Sequence, residues 1–341
     1  MHKSRRLPAA ILVLLLLSTN SFAEDTPVSV LKQLSLTGKE ISGVYLGRVV
    51  SKTLDTNDKR ELAVLGAVIM DVPPETVVDA IRDITKFKSG KEVLGIGKFS
   101  AFEASEMKAL ALEDSEATAL ADCEVRDCPF KMPAAWIESL RMEKDGAKRE
   151  EMLRQLLSAY AKDYSARGAK AVIEYNNKKD PVFPQKEFES ILAASPYLQA
   201  LAPGFSAYLK DYPLNAPSDT EDYIYWSAEK FGFKPVVSLT HVIISRWPSG
   251  WLIASRQIFA NHYYDASLGL TILMDRPAAG EDPGGCYLIY INRSRVDILG
   301  GFLSSIRRAI AIPRIRGGLE THMKGLKERL EDKTNAKESG E

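Results

Sequence analysis

The chain has 341 residues, of which 45% are apolar and 26% are charged, and its 45 basic and 45 acidic side chains cancel. This composition excludes a largely disordered chain, and the balanced charge gives no electrostatic basis for binding nucleic acid. A chain of this length can bury the core of one domain that carries an insertion, or the cores of two domains.

The first 23 residues have the three parts of a secretory signal peptide. A basic start is followed by an apolar run at 7–17 and by a short polar stretch that ends at Ala23. The run has 11 residues, whereas a spanning helix needs about 20, so we expect cleavage after Ala23 and not retention as an anchor. The sequence therefore predicts a periplasmic or secreted protein with 318 residues and a formal net charge of −3 after cleavage.

The three cysteines fit an oxidising compartment. Cys123 and Cys128 are close enough in sequence to close a small loop, and we predict a disulfide between them. This loop is either a structural staple or a recognition loop. Cys286 begins an apolar strand and is expected to be a buried, unreactive thiol. We expect no metal site and no cofactor, because the close pair has no nearby histidine or second cysteine pair.

A lead-in segment, 24–58, precedes the first clear elements, with a strand expected at 44–50. Residues 61–72 are rich in apolar and β-branched side chains, which predicts a buried strand. A short helix is expected after Pro74, since proline is tolerated at a helix start and apolar residues follow at helical spacing. A further strand is expected at 91–102.

Residues 133–220 are predicted to form a helical insertion with short helices, because prolines interrupt its second half. From residue 221 onward the pattern changes to consecutive antiparallel strands. The expected helices and strands of these two regions are 152–160, 169–175, 188–194 and 205–209 for the helices, and 223–227, 236–247, 251–264, 268–274 and 286–296 for the strands.

An amphipathic helix is predicted for 298–330, where apolar residues recur at steps of three and four. Pro313 is expected to kink or split this helix. The polar tail at 332–341 is expected to fray.

Two segments resemble the START-like, or SRPBCC, superfamily. Residues 68–84, a strand followed by a Pro-Pro helix start, resemble its first strand and helix, and 292–301 together with the helix that follows resemble its last strand and closing helix. The resemblance implies an α+β helix-grip fold, an antiparallel sheet gripping a long C-terminal helix. The domain would comprise 59–132 and 221–331, with 133–220 inserted. Members of this superfamily commonly hold a lipid, a sterol or another apolar molecule between sheet and helix.

Candidate ligand-binding residues are polar side chains within otherwise apolar strands, because a few polar groups can orient a hydrophobic ligand. Each of them can equally be a core residue or a residue on the solvent face of the sheet. The candidates are His241, Arg256, His262, Tyr264, Tyr290 and Arg293.

The sequence assigns no catalytic residue, because it contains no nucleophile elbow, zinc-protease motif or phosphate-binding loop. The first hypothesis is a periplasmic binding or carrier protein for a lipid or another hydrophobic small molecule, with its oligomeric state open. A basic cluster at 307–316 could make transient contact with anionic lipid. Two alternatives remain open. One is an enzyme of the same fold that uses His241 or His262 as acid or base, with both rings facing one cavity. The other is an envelope interaction module whose core is filled by its own side chains.

Overall fold

The computed structural model describes residues 26–231, 234–280, 282, 284–300 and 304–338. They form an α+β fold with one antiparallel sheet of eight strands. The predicted signal peptide lies outside the described residues. The strands are β1 (Val50–Thr53), β2 (Glu61–Met70), β3 (Val93–Lys98), β4 (Thr220–Phe231), β5 (Lys234–Trp247), β6 (Gly250–Ala260), β7 (Tyr264–Arg276) and β8 (Gly285–Val296).

Helices cover both faces of this sheet. None of those in the described ranges is long and apolar enough to cross a membrane. They are α1 (Pro27–Gln33), α2 (Gly38–Tyr45), α3 (Pro74–Arg82), α4 (Ile84–Phe87), α5 (Asp114–Ala121), α6 (Ala134–Met142), α7 (Gly146–Arg167), α8 (Pro184–Ala193), α9 (Pro196–Leu201), α10 (Pro203–Asp211) and α11 (Ser304–Glu338).

The strand order is β1-β2-β8-β7-β6-β5-β4-β3. Strands β4 to β8 follow one another as antiparallel neighbours, and β8 also pairs antiparallel with β2. All ten residues of β2 are buried, because helices cover both of its faces. This explains why its sequence is a nearly continuous apolar run.

The two faces of the sheet have separate cores. On one face, the insertion side, the helices between β3 and β4 pack with α1 and α2 against the strands. On the other, the helix side, α3 and the apolar stripe of α11 cover the strands. A Cβ at Gly66 of β2 would lie 2.1 Å from the sulfur of Met323, so glycine is what allows α11 to approach β2 so closely.

The α+β fold and the long C-terminal helix are confirmed, and the sheet and helix are compatible with a helix-grip arrangement. The strand expected at 44–50 is wrong, because a capping box between Thr37 and Glu40 starts α2, which runs to Tyr45. Helix α11 runs through Pro313 without a break and continues to Glu338. The fraying expected for 332–341 stays a prediction, and 339–341 lie outside the described residues.

The long strand expected at 251–264 is divided. Strand β6 ends at Ala260, and Tyr263 has a positive φ of 62° in the turn before β7. The helix expected at 169–175 is a short 3₁₀ turn, Gly168–Ala171, while Tyr175 pairs with Val182 in an isolated bridge. In both places local turn geometry overrides a pattern of apolar residues.

Candidate functional site

The helix side of the sheet has an apolar half and a polar half. In the apolar half, Val77 and Val78 of α3 pack with buried strand residues such as Ile244 and Leu273. Because side chains on a strand alternate between its faces, the same strands present a second set of inward positions farther along. These positions carry Ser227, Glu229, Ser238, Thr240, Ser255, Gln257, Ser267, Thr271, Tyr290 and Asn292.

The polar half is partly open. Helix α11 packs on β1 and β2 at the edge of the sheet, while α3 covers one end of β6, β7 and β8. The remaining part of the central strands lies between these two helices. Six of its polar side chains are only partly buried, although they lie in the middle of a sheet that is covered elsewhere: Ser255, Gln257, Ser267, Thr271, Tyr290 and Asn292. We call this surface the polar cleft.

One ion pair borders the polar cleft. The ammonium of Lys88, just after α4, lies 2.6 Å from the carboxylate of Glu229, which also accepts a hydrogen bond of 2.6 Å from the hydroxyl of Ser227. Burial acts to lower the pKa of Lys88, but Tyr225 and Glu229 outweigh it, so that pKa is raised. The two charges therefore neutralise each other at the rim.

Two tyrosines predicted from the sequence lie on this side of the sheet: Tyr290 belongs to the polar cleft, and Tyr264 packs beside it against Val296 and Leu299. Burial raises the pKa of Tyr264 to about 12, and nearby Glu229 adds to this effect. Burial also raises the pKa of Tyr290. Both phenols are therefore neutral at physiological pH, and each can donate one hydrogen bond to a ligand.

Three other predicted residues lie on the insertion side. His241 and Arg256 are direct partners across β5 and β6, so they share a face. Arg293 shares that face with Glu61, to which it donates at 2.5 Å. The structure therefore separates these three from Tyr264 and Tyr290, although all were expected between the sheet and the C-terminal helix.

His241 is fully buried beneath the insertion. Its Nδ1 lies 3.2 Å from the hydroxyl of Tyr164, and its Nε2 lies 3.6 Å from a carboxylate oxygen of Asp222. Desolvation lowers the pKa of His241; Asp222 opposes this effect and the charge of Arg256 adds to it. The ring is therefore neutral, and Tyr212 packs on it at 4.2 Å between ring centroids.

Arg256 is 2% exposed. Its Nη2 donates to the side-chain oxygen of Gln185 at 2.5 Å, and its guanidinium lies 3.9 Å from the ring centre of Phe188. The Nε and Nη1 atoms have no hydrogen-bond acceptor among the described residues. A buried cation held by a neutral amide and an aromatic ring is a costly arrangement.

His262 belongs to a third environment, the turn between β6 and β7. Its Nε2 lies 2.5 Å from the carboxylate of Glu116 on α5, and its Nδ1 lies 3.0 Å from the carbonyl of Pro129. Since both nitrogens face acceptors, the ring connects α5 and the cysteine loop to the sheet. His241 and His262 contact different residues, so the single cavity that the acid–base hypothesis requires is not formed around both rings.

Cys123 and Cys128 form the predicted disulfide, and Cys286 is a buried free thiol as predicted. The backbone NH of Cys128 donates to the carbonyl of Asn177 at 3.0 Å, so the loop is fixed to the insertion. Within the described ranges no group of histidine, cysteine or acidic side chains is arranged to hold a metal ion.

Most residues of the polar cleft were not among the ligand-binding candidates predicted from the sequence. The available signal was the alternation of polar residues within apolar strands, as in Ser255 and Gln257 of β6 or Tyr290 and Asn292 of β8. That pattern identifies a shared face, but the sequence does not say which layer covers it.

No protein-family model matches the chain, and no curated protein shows significant similarity to it.

Proposed function

We propose that the protein is a START-like binding or carrier protein that holds an amphipathic small molecule in the polar cleft. The observation that carries this proposal is the set of partly exposed polar side chains on the central strands. In a filled core these positions would be apolar and fully buried, because an unpaired polar group is costly there.

The chemistry of the polar cleft indicates the class of ligand. Its hydrogen-bonding groups are neutral, with the phenol of Tyr290, that of Tyr264 beside it and amides at Gln257 and Asn292, while Lys88 and Glu229 neutralise each other. Such a lining suits hydroxyl, carbonyl or ester groups better than a strongly charged group. The apolar half of the helix side adjoins these groups. Any apolar part of the ligand that binding removes from water would contribute about 2.5 kcal/mol for each 100 Å² of buried surface.

The predicted signal peptide would direct the protein to the periplasm or out of the cell, where an apolar molecule needs a carrier to cross water. The proposed ligand is therefore a lipid-like envelope molecule with a neutral polar group. The insertion has no direct part in this proposal, because it covers the opposite face of the sheet.

The first test is native mass spectrometry of the mature protein purified from its source envelope, followed by extraction and identification of the bound molecule. Thr271 is partly exposed and is the direct partner of Tyr290 across β7 and β8. Thr271→Trp should fill the cleft and remove the ligand. Thr118→Trp, at an exposed position of α5, is the matched control and should retain it.

A finer variant tests the polar contact. Tyr290→Phe removes one hydroxyl and should weaken binding by about tenfold, the effect of one hydrogen bond. Wild-type protein that is empty and binds no molecule from an envelope lipid extract would contradict the proposal. Equal retention by Thr271→Trp and Thr118→Trp would contradict the location of the site.

A further inference from the structure

The first half of α11 carries an exposed surface that is not part of the polar cleft. Residues 304–318 contain four arginines and no acidic residue. In the same segment Ile306 is 59% exposed and Ile310 is 53% exposed. Two large aliphatic side chains one helical turn apart are thus presented to solvent within a basic segment.

The helical arrangement places these residues in a definite order. With a turn of about 100° per residue, Ile306, Ile310 and Pro313 fall within about 60° of one another. They lie on the side of α11 that is opposite the sheet-facing residues Ile312 and Leu319. We call this side the outer stripe.

Arginines border the outer stripe on both sides. By the same spacing Arg316 flanks one edge, and Arg307 and Arg314 flank the other. Arg308 has a different role, because it points to the sheet and donates to the backbone carbonyls of Lys59 and Glu61. An apolar stripe with cations on both sides is typical of a helix that lies in a membrane interface.

The second half of α11 provides an internal comparison. On the same side of the helix it carries Lys324 paired with Glu320 at 2.8 Å, and Lys327 paired with Glu331 at 2.5 Å. In that half opposite charges neutralise each other, and Lys327 also donates to the backbone carbonyl of Ile69 on β2. The first half has only positive charge beside its exposed isoleucines.

We infer that the outer stripe docks the protein on a membrane surface rich in anionic lipid. The arginines would lie among the headgroups while Ile306 and Ile310 enter the interface. A second copy of the chain fits this surface less well, because a symmetric contact would bring the arginines of both copies together. The inference does not depend on the proposed function, since the outer stripe faces away from the sheet and the polar cleft.

The test is co-sedimentation of the mature chain with phosphatidylglycerol-rich vesicles, compared with vesicles of phosphatidylcholine alone. The wild type should sediment with the anionic vesicles only, and added salt should release it. Arg307→Gln, Arg314→Gln and Arg316→Gln should each weaken binding by about fivefold. The double variant Ile306→Ser/Ile310→Ser should weaken it by more than tenfold, about the effect of burying two large aliphatic side chains.

Matched controls separate docking from general hydrophobicity and from ligand uptake. Leu46→Ser and Met142→Ser change side chains that are 70% and 79% exposed elsewhere, and both should bind as the wild type does. Thr271→Trp should lose the cleft ligand but still bind vesicles, so the two proposals fail independently. Equal binding to both kinds of vesicle, or an unchanged Ile306→Ser/Ile310→Ser variant, would overturn the inference. Concentration-dependent self-association through the outer stripe without lipid would also overturn it.

Discussion

Polar side chains have different surroundings on the two faces of the sheet. On the insertion side, two buried charges have charged partners: Arg293 pairs with Glu61, and Lys131 pairs with Asp265 at 2.5 Å. The buried guanidinium of Arg256 is instead held by Gln185 and the ring of Phe188. On the helix side the polar residues are mostly neutral and partly exposed. Alternate residues of the same strands therefore serve two purposes, since one face attaches a large insertion and the other leaves a surface for a ligand.

The largest difference between the two faces is expected when one carboxylate is removed from each and the free energy of unfolding is compared. Glu61→Gln leaves the buried guanidinium of Arg293 without its charged partner and should lower the free energy of unfolding by about 3–5 kcal/mol. Glu229→Gln on the helix side should cost about 1 kcal/mol or less, because the side chain of its partner Lys88 is 27% exposed and reaches water. Urea unfolding of both variants measures the difference. Equal losses would show that the two faces are equally closed.

The disulfide between Cys123 and Cys128 should contribute to the stability of the insertion side. Removing it with Cys123→Ser/Cys128→Ser should lower the free energy of unfolding by about 2 kcal/mol, the chain-entropy value for so short a loop. A reductant should lower the melting temperature of the wild type and of Cys286→Ala to a similar extent. The double variant should not respond to the reductant. A response from the double variant would mean that the effect does not arise from this disulfide.

The smallest expected effect is a dependence of stability on pH. The pKa of His241 is lower in the folded protein than in the unfolded chain, so the unfolded chain binds more protons as the pH falls below about 6.5. Stability due to the neutral ring is present above that pH and is lost below it, with a slope of at most about 1.4 kcal/mol per pH unit. Asp222, Tyr164, Tyr212 and Arg256 are the polar groups that surround the ring.

His241→Phe should reduce this slope, measured by urea unfolding between pH 7 and pH 5. It should not abolish the slope, because desolvation and the charges of Arg329 and Lys88 also lower the pKa of His322. A slope that is unchanged in His241→Phe would show that His241 does not contribute. His322→Gln serves as the comparison from the helix side.

Local patterns in the sequence predict many of the elements. The apolar run of β2, the proline that begins α3 and the three-to-four spacing in α11 each depend on neighbouring residues, and the structure contains all three. The close spacing of Cys123 and Cys128 likewise predicts their disulfide. These predictions succeed because the relevant physics, burial on one side of a strand or helix and closure of a short loop, is local in the chain.

The sequence by itself determined the α+β composition, the order of most elements and the alternation that puts Arg256 on the face opposite Ser255 and Gln257. Only the tertiary structure decided that Arg256 pairs with His241 beneath the insertion while Tyr264 and Tyr290 lie on the side of the polar cleft. Alternation along a strand sorts side chains into two sets, but it does not say which layer covers each set. That depends on where α3, α11 and the insertion pack, and their contacts join residues far apart in the chain.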